Sequence, residues 1–158
     1  THGAGDFGFP FTLVSMVDKG IFVLSSPGIK IGMVDVESVA NAFVQTINNV
    51  NALNKSYILS DKNPVSLREL VNYISEYLKG KKYAVWKTLP SVVFDMCTFI
   101  AGKIVKNELW KARFELISKS WYYDSTAAEK DLGINFHETI PSFQKTIDWY
   151  LQSRNKRV

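Results

Sequence analysis

The chain has 158 residues, of which 46% are hydrophobic and 22% are charged, a composition typical of one folded domain and not of a disordered chain. The formal net charge is +4, but the basic clusters at 79–82 and 154–157 carry no interleaved aromatic residues, so no nucleic-acid partner is predicted. The one cysteine, Cys97, excludes an internal disulfide and indicates a reducing, cytoplasmic setting.

The spacing of apolar residues predicts the elements of the first third. After a glycine-rich start, a helix is predicted over 11–18, and short strands over 21–24 and 29–34. A second helix is predicted over 36–48. Its apolar residues repeat on one face of the helix. The face consists of Val36, Val39, Ala40, Phe43, Val44 and Ile47.

The middle of the chain continues with a strand over 57–59 and a turn. Ser66 and Glu69 then form a capping-box pattern that predicts the start of a helix. Gly80 is expected to end this helix. Its inward residues are predicted to be Leu67, Leu70, Val71, Ile74, Tyr77 and Leu78.

The last elements begin with an extended segment over 83–87 and the most apolar helix over 89–105. The sequence pattern of 107–123 does not decide between helix and strand, and a helix followed by a strand would fit it. A short helix over 125–130 is expected to be capped by its first serine, and an amphipathic helix over 140–154 follows. The helix over 89–105 is short for a membrane span and carries a central aspartate, so a core or surface position is favoured.

Several segments, in this order, resemble the C-terminal part of extended short-chain dehydrogenase/reductases, the NAD-dependent epimerase/dehydratase family. Val34–Ala42 is similar to the Val-Asp-Val-x-Asp-Val-Ala-x-Ala segment of dihydroflavonol reductases and hydroxysteroid dehydrogenases, with Ser38 at the second aspartate. The other similar segments are 55–60, the last strand of the Rossmann sheet; 65–70, the helix start after it; 123–133, an Asp-Ser-x-Lys-Ala-like stretch; and 143–150, the closing helix.

The resemblance implies an α/β fold in which residues 1–158 form one substrate-binding domain, a C-terminal fragment of a Rossmann-type protein with a few short strands and five or six helices. It implies that the last Rossmann strand belongs to this domain and that the NAD(P)-binding domain lies outside it. The parent protein would be a nucleotide-sugar epimerase/dehydratase or a carbonyl reductase that uses NAD or NADP. The chain alone is expected to be inactive and to bind no cofactor.

The resemblance also implies a substrate site for a nucleotide sugar or an apolar carbonyl compound. Residues 2–6 are similar to the family's Tyr-Gly-Pro-Gly-Asp loop, which borders the substrate. By this likeness His2, Asp6, Phe7 and Phe9 are expected to line the cleft. Lys30 stands near the position where sugar-nucleotide epimerases place a phosphate-binding arginine.

Two apparent chemical motifs lack the context that their chemistry needs. Residues 3–8 match Gly-x-Gly-x-x-Gly, but no strand is predicted before them. The Tyr-x-x-x-Lys pair at 77 and 81 crosses a predicted helix end. In the extended segment over 83–87 the tyrosine and lysine would be roughly 13 Å apart. No catalytic or cofactor-binding residue is therefore predicted.

Metal and base chemistry also find no support in the sequence. His2, Cys97 and His137 lack the spacing of metal ligands, so no metal is predicted. His137 has no residue beside it that would orient it as a base.

Two other functions remain open. The chain could be a non-enzymatic module whose aromatic residues bind a small ligand or a partner, or a membrane-surface protein that uses 89–105, with membrane contact less favoured. If the chain is a fragment, helices that pack on the absent sheet should expose apolar side chains, and a homo-oligomer is then expected.

Overall fold

The computed structural model describes residues 1–25, 28–90, 92–94, 96, 99–100 and 117–155. The described chain is α/β, with helices and one two-stranded sheet. It forms two compact units: Thr1–Ser15, Gly32–Val65 and Tyr122–Val158 in the first, and Met16–Ile31 and Ser66–Trp121 in the second.

The helices are α1 (Phe9–Lys19), α2 (Val36–Thr46), α3 (Leu67–Lys79), α4 (Thr126–Leu132) and α5 (Thr139–Asn155). Strand β1 (Lys30–Ile31) pairs with β2 (Val65–Ser66). Short 3-10 helices lie at Val50–Ala52 and Val85–Lys87. Further helical residues occur at 92–94, 96 and 99–100.

The first unit has a small apolar core between α2, α4 and the segment that follows α4. Ala42 of α2 and Leu132 of α4 are both buried in it. Burial of such side chains stabilises a fold by about 1.5–3 kcal/mol for each large aliphatic residue. The core consists of Val34, Ala42, Ala128, Leu132, Ile134 and Phe136, with Val39, Ala52, Tyr57 and Leu59 packed against it.

The start of the chain is held against the segment before α2 by backbone pairing. His2 N donates to Val34 O at 2.9 Å, and Val36 N donates to His2 O at 2.9 Å. Gly3 follows with a φ of +151°, and a Cβ built there would lie 2.4 Å from Cγ1 of Val36. Only glycine fits this close approach without a shift of the neighbouring backbone or side chain.

In the second unit, α3 follows the sequence prediction closely. Leu67, Leu70, Val71 and Ile74 are all buried, as the 3.6-residue period predicts. Gly80 ends the helix with a φ of 66° and donates its N–H to a carbonyl one turn back. Of the remaining predicted inward residues, Leu78 is half-buried, while Tyr77 is exposed because it lies at the edge of the apolar stripe.

Two predicted caps are wrong. Ser66 makes no side-chain capping hydrogen bond to α3, so its pairing with Glu69 does not form a capping box. Ser125 likewise makes no such bond at α4. Asp124 takes that role, because its Oδ1 accepts the Thr126 amide at 2.9 Å and the Thr126 hydroxyl at 2.6 Å.

Several predicted strands are shorter than expected or absent. The segment 29–34 keeps only two strand residues, and 21–24 contributes only the bridge from Leu24 to Thr88. Residues 57–59 form no strand, and 85–87 form a 3-10 helix. A strand needs a neighbour that completes its hydrogen bonds, and the described chain shows no Rossmann sheet that would supply one.

Most of the apolar residues that repeat along one face of α2 lie in solvent. Ser38 and Ala42 are the buried residues of this helix, while Val36, Phe43, Val44 and Ile47 are exposed. The helix therefore packs on its own core through Ser38, Ala42 and the half-buried Val39, and its other large apolar residues face outward.

Part of the predicted helix over 89–105 and the open segment 107–116 lie outside the described residues. Among the residues that the structure describes, no helix has both the length and the apolar character needed to cross a membrane.

Replacing Gly3 should destabilise the first unit. We expect Gly3→Ala to lower the free energy of unfolding by about 2 kcal/mol, because the new methyl group meets Val36 and the residue keeps a positive φ. The measurement is urea unfolding followed by circular dichroism.

The matched control for this substitution is Gly5→Ala. Gly5 also has a positive φ, 89°, but a Cβ there meets no atom within 4 Å. Its cost should be smaller than that of Gly3→Ala. Equal costs for the two variants would show that contact with Val36 is unimportant.

Candidate functional site

A buried polar cluster in the first unit is centred on the carboxylate of Asp61. Its Oδ1 accepts the backbone amide of Asp35 at 3.2 Å, and its Oδ2 accepts the hydroxyl of Thr139 at 2.7 Å. The Asp61 amide donates to Met33 O at 2.6 Å. A buried carboxylate needs such donors, because desolvation without them is costly.

His2 completes the cluster from the start of the chain. Its ring is fully buried and packs on Phe143 of α5, with ring centroids 5.3 Å apart. Nε2 lies 3.4 Å from Asp61 Oδ2 and 3.4 Å from Ser142 Oγ. Nδ1 has no hydrogen-bond partner among the described residues. The His2 side chain is thus internal to the first unit, and its predicted contact with a substrate stays a prediction.

Asp35 carries a second histidine contact at the surface of the same cluster. Its buried Oδ2 lies 3.3 Å from Nδ1 of His137, and that nitrogen also lies 3.3 Å from Ser38 Oγ. The His137 side chain is 58% exposed. The sequence predicts no residue that orients His137, whereas the structure places Asp35 and Ser38 beside it.

This arrangement does not form a hydrolytic triad. A triad uses one ring nitrogen for the serine and the other for the carboxylate. In His2 the same nitrogen, Nε2, meets both Ser142 and Asp61. The ring is also closed to solvent, so no substrate can reach it in this conformation. The cluster therefore positions the chain around it. This applies above all to the glycine loop, residues 3–8, which directly follows His2.

The glycine loop, residues 3–8, carries two of the predicted substrate residues, Asp6 and Phe7, and Phe9 begins α1 directly after it. Asp6 is half-buried, and its Oδ1 accepts the Gly8 amide at 2.6 Å just before α1. Phe7 is 56% exposed, whereas Phe9 is half-buried. Their contact with a substrate stays a prediction.

Two aromatic rings lie beside Phe7 within the first unit. Its ring centroid lies 5.1 Å from that of Phe11 and 5.8 Å from that of Trp149. Phe11 in turn lies 5.3 Å from Tyr150. The aromatic groups 7–11 and 149–150, which are far apart in sequence, thus form one cluster with an exposed ring at its edge.

Lys30, the fifth predicted substrate residue, belongs to the second unit. Its side chain is exposed, its amide donates to Ser120 Oγ at 3.0 Å, and its carbonyl accepts the Trp121 amide at 3.0 Å. A role for Lys30 in phosphate binding stays a prediction.

The glycine loop does not fit the pyrophosphate of a dinucleotide. Such a group binds free amides at a helix start, where the helix dipole favours negative charge. Here the Asp6 carboxylate already accepts the Gly8 amide, and Pro10 in the first turn of α1 has no N–H. The carboxylate would repel a phosphate group, so the residues of this loop do not fit a pyrophosphate.

The Tyr83–Lys87 pair is closer than predicted, because 85–87 turn as a 3-10 helix. Lys87 Nζ lies 5.0 Å from the centroid of the Tyr83 ring and donates to Gly20 O. The Tyr83 hydroxyl donates to Phe22 O at 2.8 Å, and burial raises the pKa of Tyr83. A catalytic tyrosine needs the opposite shift, so this pair is structural.

A second polar cluster in the first unit joins the segment after α2 to α4. Lys55 Nζ lies 2.6 Å from Asp131 Oδ2, and the Tyr57 hydroxyl donates to the same oxygen at 3.0 Å. Hydrogen bonds from Lys55 and then Tyr57 lower the pKa of Asp131. Among the described residues, no three His, Cys, Asp or Glu side chains are grouped so that they could hold a metal ion.

Comparisons with known proteins show a likeness in fold. No protein-family model matches the sequence, and no curated protein matches it. The solved structure of gox2253 is similar over 96% of this chain, with a TM-score of 0.68 and 18% identity. A candidate epimerase from Burkholderia cenocepacia J2315 is similar over 94%, with a TM-score of 0.59 and 13% identity.

The chain spans less than half of each structure that it resembles, 47% of gox2253 and 43% of the candidate epimerase. At these identities the likeness shows the fold alone, which is epimerase-like. It agrees with the α/β class predicted from the sequence.

Sequence reasoning misses the core of the buried cluster. Asp61, Thr139 and Ser142 are not predicted as site residues, although Thr139, Ser142 and Thr146 of α5 are buried. One signal was present. Polar residues at 139, 142 and 146 recur at helical spacing beside the buried Phe143 and Ile147, which indicates a polar strip on the inner face.

Removing the Asp61 carboxylate should destabilise the first unit. We expect Asp61→Ala to lower the free energy of unfolding by about 3 kcal/mol, because the Asp35 amide and the Thr139 hydroxyl lose their acceptor. Urea unfolding measures the change. The control is Lys62→Ala, an exposed side chain next in sequence, which should cost less than about 0.5 kcal/mol. A similar cost for both variants would contradict the role given to Asp61.

The Asp131 cluster predicts a pH dependence of stability. Because the pKa of Asp131 is lowered from 3.8 in the folded state, its ionised form stabilises the fold above that pH. This contribution is lost as the pH falls through the folded pKa. We expect Asp131→Asn to be less stable than the native chain at neutral pH, with the difference vanishing in acid. Unfolding across the acid range measures it.

The control for this prediction is the same substitution on a Lys55→Met background, where the pH-dependent difference should be smaller. A stability difference that does not change with pH would show that Asp131 ionisation is not involved.

Proposed function

We propose that residues 1–158 form the substrate-side part of an NAD(P)-dependent epimerase, dehydratase or carbonyl reductase, with the cofactor held by another part of the polypeptide. The observation that carries this proposal is the likeness in fold to a candidate epimerase over 94% of this chain, of which the chain spans only 43%. The order of the similar sequence segments supports the same class.

The local geometry supports a substrate-side role. The buried cluster around Asp61 holds His2, and His2 fixes the loop that presents Asp6 and Phe7. A carboxylate beside an exposed aromatic ring could orient a hydroxyl-bearing or carbonyl-bearing substrate, since polar groups fix orientation and aromatic surface supplies binding energy. No group of the described chain is assigned to hydride transfer in this proposal.

The proposal divides the chemistry between two parts of one protein. NAD(P) would supply the hydride chemistry when bound. Because the Gly8 amide in the glycine loop of this chain is already bonded to Asp6, the cofactor would bind to the other part of the protein. The residues of this chain would bind and orient the substrate and exclude water from it. The substrate class, a nucleotide sugar or an apolar carbonyl compound, follows from the resemblance alone.

The test compares NADPH binding by residues 1–158 with binding by the complete product of the gene. We expect no binding of micromolar NADPH to the isolated chain, because its glycine loop carries a carboxylate where a pyrophosphate would lie. The complete product is expected to bind NADPH. A carbonyl reductase would oxidise NADPH as it reduces an apolar carbonyl compound, whereas an epimerase or dehydratase would convert a nucleotide sugar with no net change in the cofactor. Fluorescence titration measures binding, NADPH absorbance measures the reductase reaction, and chromatography of the sugar nucleotide measures the epimerase or dehydratase reaction.

Two outcomes would overturn the proposal. Micromolar NADPH binding by the isolated chain would place the cofactor on this part of the polypeptide. A reading frame without a strand followed by a glycine loop, and without a Tyr-x-x-x-Lys helix, would favour a non-enzymatic binding module instead.

A further inference from the structure

The outward side of α2 is an apolar surface that nothing in the described chain covers. Four residues of α2, together with Ile47 directly after its last residue, form what we call the α2 face: Val36, Ala40, Phe43, Val44 and Ile47. Phe43 is 70% exposed and Ile47 is 68% exposed. Just beyond the helix, Val50 and Leu53 are exposed to a similar degree. A large exposed apolar surface usually marks an interaction site.

The geometry of the helix separates this face from the core. Successive helical residues are about 100° apart around the axis, which places the five residues within an arc of about 100°. Ser38 and Ala42 point away from that arc and are buried. The helix thus has one side of small residues on its own core and an opposite side of large apolar residues in solvent.

The charge on this surface indicates the kind of partner. Between Val36 and Leu53 the only charged residue is Glu37, and Glu37 forms an ion pair with Lys145, with Nζ and Oε2 2.5 Å apart. Anionic lipid and nucleic-acid surfaces require basic residues beside the apolar ones, and this stretch has none. Depletion of charge is instead typical of the core of a protein interface.

We propose that the α2 face docks on polypeptide of the same protein that lies outside residues 1–158. This inference rests on the proposed function, because it takes the chain to be one part of a longer enzyme. More than half of each similar structure has no counterpart in this chain, so a covering segment of comparable size exists in proteins of this fold. A second copy of the chain is the competing occupant.

The test measures thiol labelling at the α2 face. The Ile47→Cys substitution is made on a Cys97→Ser background in two proteins, residues 1–158 alone and the complete product of the gene. Each protein is then treated with a maleimide, and the labelling rates are compared. We expect labelling in the complete product to be roughly tenfold slower or more, because a docked thiol reacts only when the interface opens. Gln45→Cys is the control. Gln45 is exposed on the polar side of α2, so its labelling rate should be similar in both proteins.

Hydrogen exchange of the α2 amides in the unsubstituted chain gives a second measurement, and slower exchange is expected in the complete product. Equal labelling of Ile47→Cys and equal exchange in both proteins would overturn the proposal, as would a gene with no reading frame beyond these residues. Protection in the isolated chain that grows with its concentration would assign the face to a second copy.

Failure of this inference is distinguishable from failure of the proposed function. If the complete product protects Ile47→Cys but binds no NADPH, the docking surface is supported and the proposed enzymatic function is contradicted. If the complete product binds NADPH and leaves Ile47→Cys fully reactive, the proposed function is supported and the docking surface is contradicted.

Discussion

The Asp61 carboxylate joins four segments that are distant in sequence. It accepts from the backbone before α2 and from Thr139 at the start of α5, and it lies beside His2 at the start of the chain. Its own amide is bonded to Met33 O. Because a buried carboxylate is stable only with its donors in place, the folded position of each of these segments depends on the others. The loop after His2 takes its position from this arrangement.

Local patterns predict the elements whose stability is local. Helix α3 has an apolar stripe and a terminal glycine, and the structure reproduces both. The start of α4 shows the limit of such patterns. The sequence predicts Ser125 as the cap, whereas in the structure the Asp124 carboxylate accepts the Thr126 amide.

Long-range contacts account for what the sequence does not predict. The periodicity of α2 identifies its apolar face, but periodicity alone cannot say whether that face meets this unit's core or another polypeptide. The polar residues of the Asp61 cluster are up to 140 positions apart, so no local window contains them together. The short distance between Tyr83 and Lys87 depends on a single 3-10 turn that replaces an expected strand.

The contact between Gly3 and Val36 links two surfaces of the first unit. One methyl group of Val36 limits the space at Gly3, while much of the same side chain belongs to the exposed α2 face. A body seated on the α2 face would therefore contact the same Val36 side chain that limits the space at Gly3. Because side chains in a folded protein are closely packed, the position of Val36 bears on both the outer side of α2 and the start of the loop that carries Asp6 and Phe7.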